Sequence, residues 1–221
     1  MAYIDLIQKI HSASKRDYLQ ERVIGLDKAA CAEISKKFGY DYWDGDRKYG
    51  YGGYRYDGRW RPVAEDLSRH YGLSSGSSVV DLGCGKGYLL YELTQIHPGI
   101  MVRGIDISRY AIENAKEEVK PFITAGNATS LPYEDDYFDY IISITTLHNL
   151  YNYELRKALQ EIERVGKQNK HVIVESYRNE REKANLLYWQ LTCRSFYTPD
   201  EWEWFMAESG YTGDYSYIVF E

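Results

Sequence analysis

The chain has 221 residues, with 27 Lys and Arg against 33 Asp and Glu and a formal net charge of −6. That balance argues against a general nucleic-acid binder, which needs clustered Lys and Arg to neutralise phosphates. Cys31, Cys84 and Cys193 are isolated and form no CxxC pair, so neither a disulfide framework nor a metal site is expected. No run is apolar enough to span a bilayer, and the expectation is a cytoplasmic protein with no membrane partner.

In chain order, residues 1 to about 40 read as polar helices, with Ile24, Ala29, Ala32, Ile34 and Phe38 forming a loose apolar stripe. From Gly39 to Trp60 the text GYDYWDGDRKYGYGGYRYDGRW has no helical or strand period and reads as loop. Pro62 opens a helix through about Tyr71, ended by Gly72. Strands and helices then alternate. SSVVDLG, IMVRGID, PFITAGNA, YFDYIISITTL, KHVIVESYR and DYSYIVFE read as strands. GYLLYELTQIHP, SRYAIENAKEEVK (capped by Ser108), NYELRKALQEIERVG, REKANLLYWQLTC and TPDEWEWFMAESG read as helices. This order predicts an α/β fold: a doubly wound, mostly parallel sheet with helices on both faces. The division is 1–61 as an N-terminal helical extension and lid, and 62–221 as the catalytic domain.

The stretch VVDLGCGKGYLL, Val79 to Leu90, is a strand, a glycine-rich turn and a helix. Gly83, Gly85 and Gly87 let the chain turn sharply and let a ligand approach the main chain. Their spacing departs from the G-x-G-x-x-G of dinucleotide sites. Asp81 just before the turn would repel a pyrophosphate and attract a cation. A positively charged, phosphate-free nucleoside suits this loop, and S-adenosylmethionine (SAM) has that character.

Asp81-Leu-Gly83-Cys-Gly85-Lys-Gly87 resembles motif I of the class I, Rossmann-like SAM-dependent methyltransferases. The resemblance covers roughly residues 75–180. It implies a seven-stranded-type sheet, here one strand short at the C-terminal edge. It implies that Asp106, at the end of the second strand, takes the cofactor ribose, and that Ile107 lies against adenine. GNATSLPYEDDYFDYI is similar to the stretch whose acidic residue sits near the adenine amino group. Asn127 stands at that position, followed by Ala128. The fourth strand ends at Ile144, before TTLHN, where family members line the cofactor and the transfer site. No N-P-P-Y-like segment follows, which argues against methylation of nucleobase amino groups.

The segment before this domain lies where the family places a lid. Tyr49, Tyr51, Tyr54, Tyr56, Trp43 and Trp60 offer flat faces, and Arg47, Lys48, Arg55, Arg59 and Arg61 offer anion-binding groups. Tyr54 is a candidate cofactor contact, and Arg59 is a candidate partner for the methionyl carboxylate. YWDGDR, YGGYRYDGRW and NLLYWQLTC are also similar to methyltransferases of bacterial surface-polysaccharide gene clusters.

For the chemistry, His148 just after the fourth strand is a candidate general base, or else a cap with Asn149. Glu175, at the end of the fifth strand, is a second candidate base, or else a surface carboxylate. The expected function is methyl transfer to O or N of a small polar acceptor, such as a sugar or a phosphorylated or nucleotide-linked glycan precursor, by a monomer or homodimer. The alternatives are a SAM-binding regulatory protein without catalysis and an NAD-dependent Rossmann enzyme.

Overall fold

The computed structural model describes residues 1–7 and 27–221. Its centre is a six-stranded sheet in the order β3-β2-β1-β4-β5-β6, with every strand pair parallel. The strands are β1 Ser78–Leu82, β2 Met101–Asp106, β3 Ile123–Ala125, β4 Phe138–Ile144, β5 Gly166–Glu175 and β6 Asp214–Ile218. The helices are α1 Lys28–Ser35, α2 Tyr40–Trp43, α3 Arg61–Tyr71, α4 Tyr88–Ile96, α5 Arg109–Glu113, α6 Asn152–Val165, α7 Glu180–Trp189 and α8 Pro199–Glu208.

Parallel strands need both faces covered, and the strand sequences are apolar on both. Val79 packs with Val63, Leu67, Leu90 and Leu93 of α3 and α4. Its neighbour Val80 joins the opposite core with Leu155, Leu159 and Ile162 of α6 and Trp202 of α8. Each single-residue step along β1 therefore changes helix layer. α8 is started by a reciprocal cap in which Thr198 N donates to Glu201 Oε2 (2.8 Å) and Glu201 N to Thr198 Oγ1 (3.4 Å). α3 begins at Arg61 and ends at Gly72, whose φ of +63° suits glycine.

Four sequence expectations are corrected. Residues 2–4 are extended, not helical: Tyr3 bridges in parallel to Tyr215, and Ile4 N donates to Tyr215 O at 2.8 Å. The stripe on α1 is not what the fold buries, because Cys31 and Ser35 are the buried positions there, and Ile24 lies outside the described residues. The 39–60 segment carries the single turn α2 and a 3-10 turn at Arg47–Tyr49. The helix capped by Ser108 stops at Glu113, because Lys116 N turns to Lys86 O (3.0 Å) instead of continuing the helix.

Candidate functional site

The sheet order reverses direction between β1 and β4, and ligands of open parallel sheets sit at the carboxyl ends beside such a switch. Two adjoining cavities open there. The first, about 920 Å³ with its mouth, is lined by Asp81, Gly83, Gly85, Asp106, Ile107 and Ile144, and by Phe38, Trp43, Tyr54 and Trp60 from before the domain. The second, about 760 Å³, is lined by Arg47, His148, Glu175, Trp189, Gln190 and Phe220, among others. Tyr42, Tyr51, Thr145 and Asn149 line both.

The glycine turn is held by β2. Gly83 N donates to Ile105 O (2.7 Å), and Gly85 N to Asp106 Oδ2 (2.7 Å). Gly83 and Gly85 have φ of +84° and +55°, in the left-handed region that side chains disfavour. A Cβ on Gly83 would overlap the Thr146 side chain, and one on Gly85 would lie 2.8 Å from the Trp43 ring. Asp106 also accepts from Ser108 N (2.7 Å), so its carboxylate orders the turn while facing the cavity.

Asp81 is 5% exposed, and burial, with the Asp106 charge beside it, pushes its pKa up to about 8. Burial also raises Asp106, against the backbone hydrogen bonds from Ser108 and Gly85. Among the described residues neither carboxylate forms an ion pair. Two buried carboxylates without a cation suit a ligand that brings positive charge, and they repel a diphosphate.

This arrangement has a cost that pH reveals. Asp81 has a folded pKa above its unfolded value of 3.8, so its contribution favours the fold at low pH and is lost as pH rises toward about 8. Below about pH 6.5 the buried His148 and His171, lowered by burial to about 3 and about 4, act in the opposite sense. Between pH 6.5 and 8 the histidines drop out, and Glu175, raised by burial to about 8, acts in the same sense as Asp81. The unliganded melting temperature is expected to fall across this range by several degrees, and Asp81→Asn is expected to remove about half of that fall, leaving the share of Glu175. A differential scanning calorimetry series in pH would measure this. Equal slopes for both proteins would remove the assigned cause.

In the second cavity the two candidate bases meet. His148 Nε2 lies 3.5 Å from Glu175 Oε2, and His148 Nδ1 accepts from Glu175 N at 3.4 Å. The ring proton therefore sits on Nε2, pointing at the carboxyl group. Burial holds the imidazole neutral, and burial, opposed by the Gln190 amide bonded to Oε2, pushes the Glu175 pKa up to about 8. Cys193 offers a sulfur within 4.8 Å of this pair. Burial keeps it a thiol, and Sγ donates to Ser195 O (3.3 Å). With a proton on the facing nitrogen and another on the sulfur, a metal ion could bind this cluster only by displacing both.

The other candidates are placed as follows. Tyr54 lines the first cavity, its hydroxyl accepting from Trp60 Nε1 (3.0 Å). Gly87 caps α4 behind the turn. Arg59 lies outside both cavities, paired with Asp57 two residues away (Nε to Oδ1, 2.9 Å). Asn127 is exposed and closes a local turn by accepting from Thr129 N (3.0 Å), and Ala128 belongs to the α6 core. Among the lid cations, Arg47 reaches a cavity, 5.0 Å from the Trp189 ring. Arg61 pairs with Glu65 (2.8 Å) and Lys48 with Asp46 (3.6 Å).

Sequence reasoning missed Lys86, and it names Asn149 only as a cap beside His148 and within TTLHN. Lys86, 4% exposed, donates to both Asp44 oxygens (2.8 and 2.7 Å) and to Tyr54 O (2.8 Å). Tyr110 adds a bond to Asp44 (2.8 Å). The residue between two motif glycines thus ties residues 44–54 onto the turn. Among the described residues, the buried Oδ1 of Asn149 has no hydrogen-bond partner.

A parallel sheet in this order, with a glycine turn after β1 and an acidic residue ending β2, is the Rossmann-like methyltransferase fold. A family profile described as "Methyltransferase domain" matches residues 73–210, and the chain belongs to that family. It is 34% identical over 130 residues to the tRNA (carboxymethyluridine(34)-5-O)-methyltransferase of Arabidopsis thaliana, covering 58% of this chain and 30% of that one. It is 30% identical over 113 residues to the demethylmenaquinone methyltransferase of Lysinibacillus sphaericus, covering 49% and 46%. The chain thus spans less than half the length of these two relatives. The crystal structure of the YcgJ protein of Bacillus subtilis shares the fold, with a TM-score of 0.55 at 20% identity over 66% of each chain.

Proposed function

We propose that the chain is a SAM-dependent methyltransferase acting on a small hydroxylated metabolite, with the cofactor in the first cavity and the acceptor in the second. One observation carries this: a cavity headed by two carboxylates that pair with no cation among the described residues shares Tyr42, Tyr51, Thr145 and Asn149 with a cavity that holds Glu175 and His148. Asp81, Gly83, Gly85, Asp106, Ile107, Ile144 and Tyr54 would hold the cofactor, which supplies an activated methyl group on a sulfonium. Asp81 then gains the positive charge that its site lacks.

The remaining work belongs to the chain itself. Residues 39–61 act as a lid that excludes water from both cavities. Thr145, held at φ +51°, stores local backbone strain of about 1–3 kcal/mol where the cavities join. Glu175 receives the acceptor proton, and His148 Nε2–H orients its carboxyl group. A sugar or other glycan precursor remains the acceptor class proposed from the sequence.

Gly85→Val and Asp106→Ala are expected to abolish binding of S-adenosylhomocysteine in isothermal titration calorimetry, while the parent chain binds it. Unchanged affinity in both variants would remove the cofactor assignment. Transfer of label from methyl-labelled SAM to a metabolite extract tests catalysis, because a non-catalytic binder passes no label.

A further inference from the structure

Asn149 stands where the two cavities join. Its Nδ2 donates to Thr145 O at 3.3 Å, which fixes the amide and turns Oδ1 away from that carbonyl. Oδ1 is buried and has no partner among the described residues. A buried carbonyl oxygen left unpaired is costly, and a ligand that donates to it recovers that cost. The Glu175 carboxyl group, 5% exposed, is a second hydrogen-bond acceptor in the same cavity.

A single hydroxyl carries one hydrogen and cannot serve both oxygens fully. A carboxylate or phosphate nucleophile carries none and would meet Oδ1 with repulsion. An amino group carries two hydrogens, but a neutral amine needs no base, whereas a hydroxyl does. The first cavity's ligand has Asp81 for its positive charge, which leaves Asn149 to the acceptor. Aromatic faces on Tyr42, Tyr51, Trp189 and Phe220 complete a lining that suits the C–H faces of a ring.

We infer that the methyl acceptor presents two adjacent hydroxyls, one donating to Asn149 Oδ1 and the other, the one methylated, to Glu175. This rests on the transferase reading above. In the step, the acceptor oxygen bonds to the methyl carbon as the carbon–sulfur bond breaks. The electron pair of that bond goes to sulfur, leaving a neutral thioether, and the hydroxyl proton passes to the Glu175 carboxylate. Asn149 is then a specificity-determining residue.

The test uses a soluble metabolite extract as acceptor source and methyl-labelled SAM with the full chain. Half of the extract is first oxidised with periodate, which cleaves adjacent diols, and then quenched with ethylene glycol. The expected result is labelled product from the untreated half, stable to mild alkali and not retained on a cation exchanger, and loss of most labelling from the oxidised half. Equal labelling of both halves, release of label as methanol in alkali, or a basic labelled product overturns the inference while leaving a methyltransferase. No label in either half, with S-adenosylhomocysteine bound, overturns the transferase reading and this inference together.

Two variants separate recognition from structure. Asn149→Leu is expected to lower labelling at limiting extract about tenfold or more, with S-adenosylhomocysteine affinity within twofold of the parent. Asn149→Asp keeps an acceptor oxygen but loses the donor to Thr145, and is expected to recover most of that loss. Equal loss in both variants, or a tenfold loss of S-adenosylhomocysteine affinity in Asn149→Leu, overturns the assignment.

Discussion

Replacing Glu175 with glutamine is expected to lower the turnover of methyl transfer roughly 10²–10⁴-fold, the range that a general base contributes. The substitution keeps shape and burial and removes the proton acceptor. The pH profile of kcat/KM carries the sharper signature. Glu175 is pushed up to about 8 by burial. Its active form is the deprotonated one, so the parent rate should rise with pH and level off above about 8. Asp81, also raised to about 8, is taken out of the profile by measuring at saturating SAM, whose positive charge keeps it ionised, and the other groups around Glu175 do not supply this limb. His148 is lowered by burial to about 3, and the Cys193 thiol and the Tyr42 and Tyr51 hydroxyls are raised by burial and stay protonated. Arg47, on the same cavity, keeps its charge throughout. The Glu175→Gln variant should therefore lose the limb along with the rate. A limb near pH 6 that survives in it would assign the proton to another group.

Replacing Lys86 with methionine should loosen the lid and weaken cofactor binding in one stroke. Asp44 would keep its charge, its bond from Tyr54 N (3.0 Å) and its bond from Tyr110, but no cation. Breaking a buried pair from one side costs about 3–5 kcal/mol. Asp44 is 22% exposed in its side chain, which places this case near the lower figure. For a chain of this size that corresponds to a melting temperature lower by roughly 6–12 °C if the lid unfolds with the rest. If it opens alone, the readout is faster protease nicking within residues 44–60. In both cases S-adenosylhomocysteine affinity should fall, because Trp43 and Tyr54 line the cavity proposed to hold it. Adding Asp44→Asn should restore part of the stability, since the stranded carboxylate goes with it. A Lys86→Met protein with parent stability, nicking and affinity would show that the tie contributes nothing.

The two predictions draw on different kinds of legibility. Glu175 and His148 were readable one at a time, because each ends or follows a strand of plain β-branched character. Their pairing was not, since it depends on how the turn after β4 packs beside β5. The glycine turn was readable because positive φ at Gly83 and Gly85 leaves a compositional mark. Lys86 carried no such mark, as its partner Asp44 lies 42 residues earlier in a segment without period. Asn127 is assigned by its position in a family pattern and Arg59 by the anion-binding chemistry of the lid, and local chemistry keeps both away. An aspartate two residues before Arg59 and a threonine two residues after Asn127 were the visible signals of those local bonds. The orphaned Oδ1 of Asn149 is a property of packing alone.

The outer edge of β6 is met by residues near the amino end: Ala2 N donates to Asp214 Oδ1 at 3.0 Å, and Tyr215 N to Ala2 O at 3.0 Å. These contacts join groups more than two hundred positions apart, the slowest kind of closure for a chain to make. On the ribosome, residues 2–4 must therefore wait until β6, more than two hundred residues later, has emerged before they can dock. Until then the growing sheet presents an unpaired margin, and chaperones have their longest opportunity to engage it.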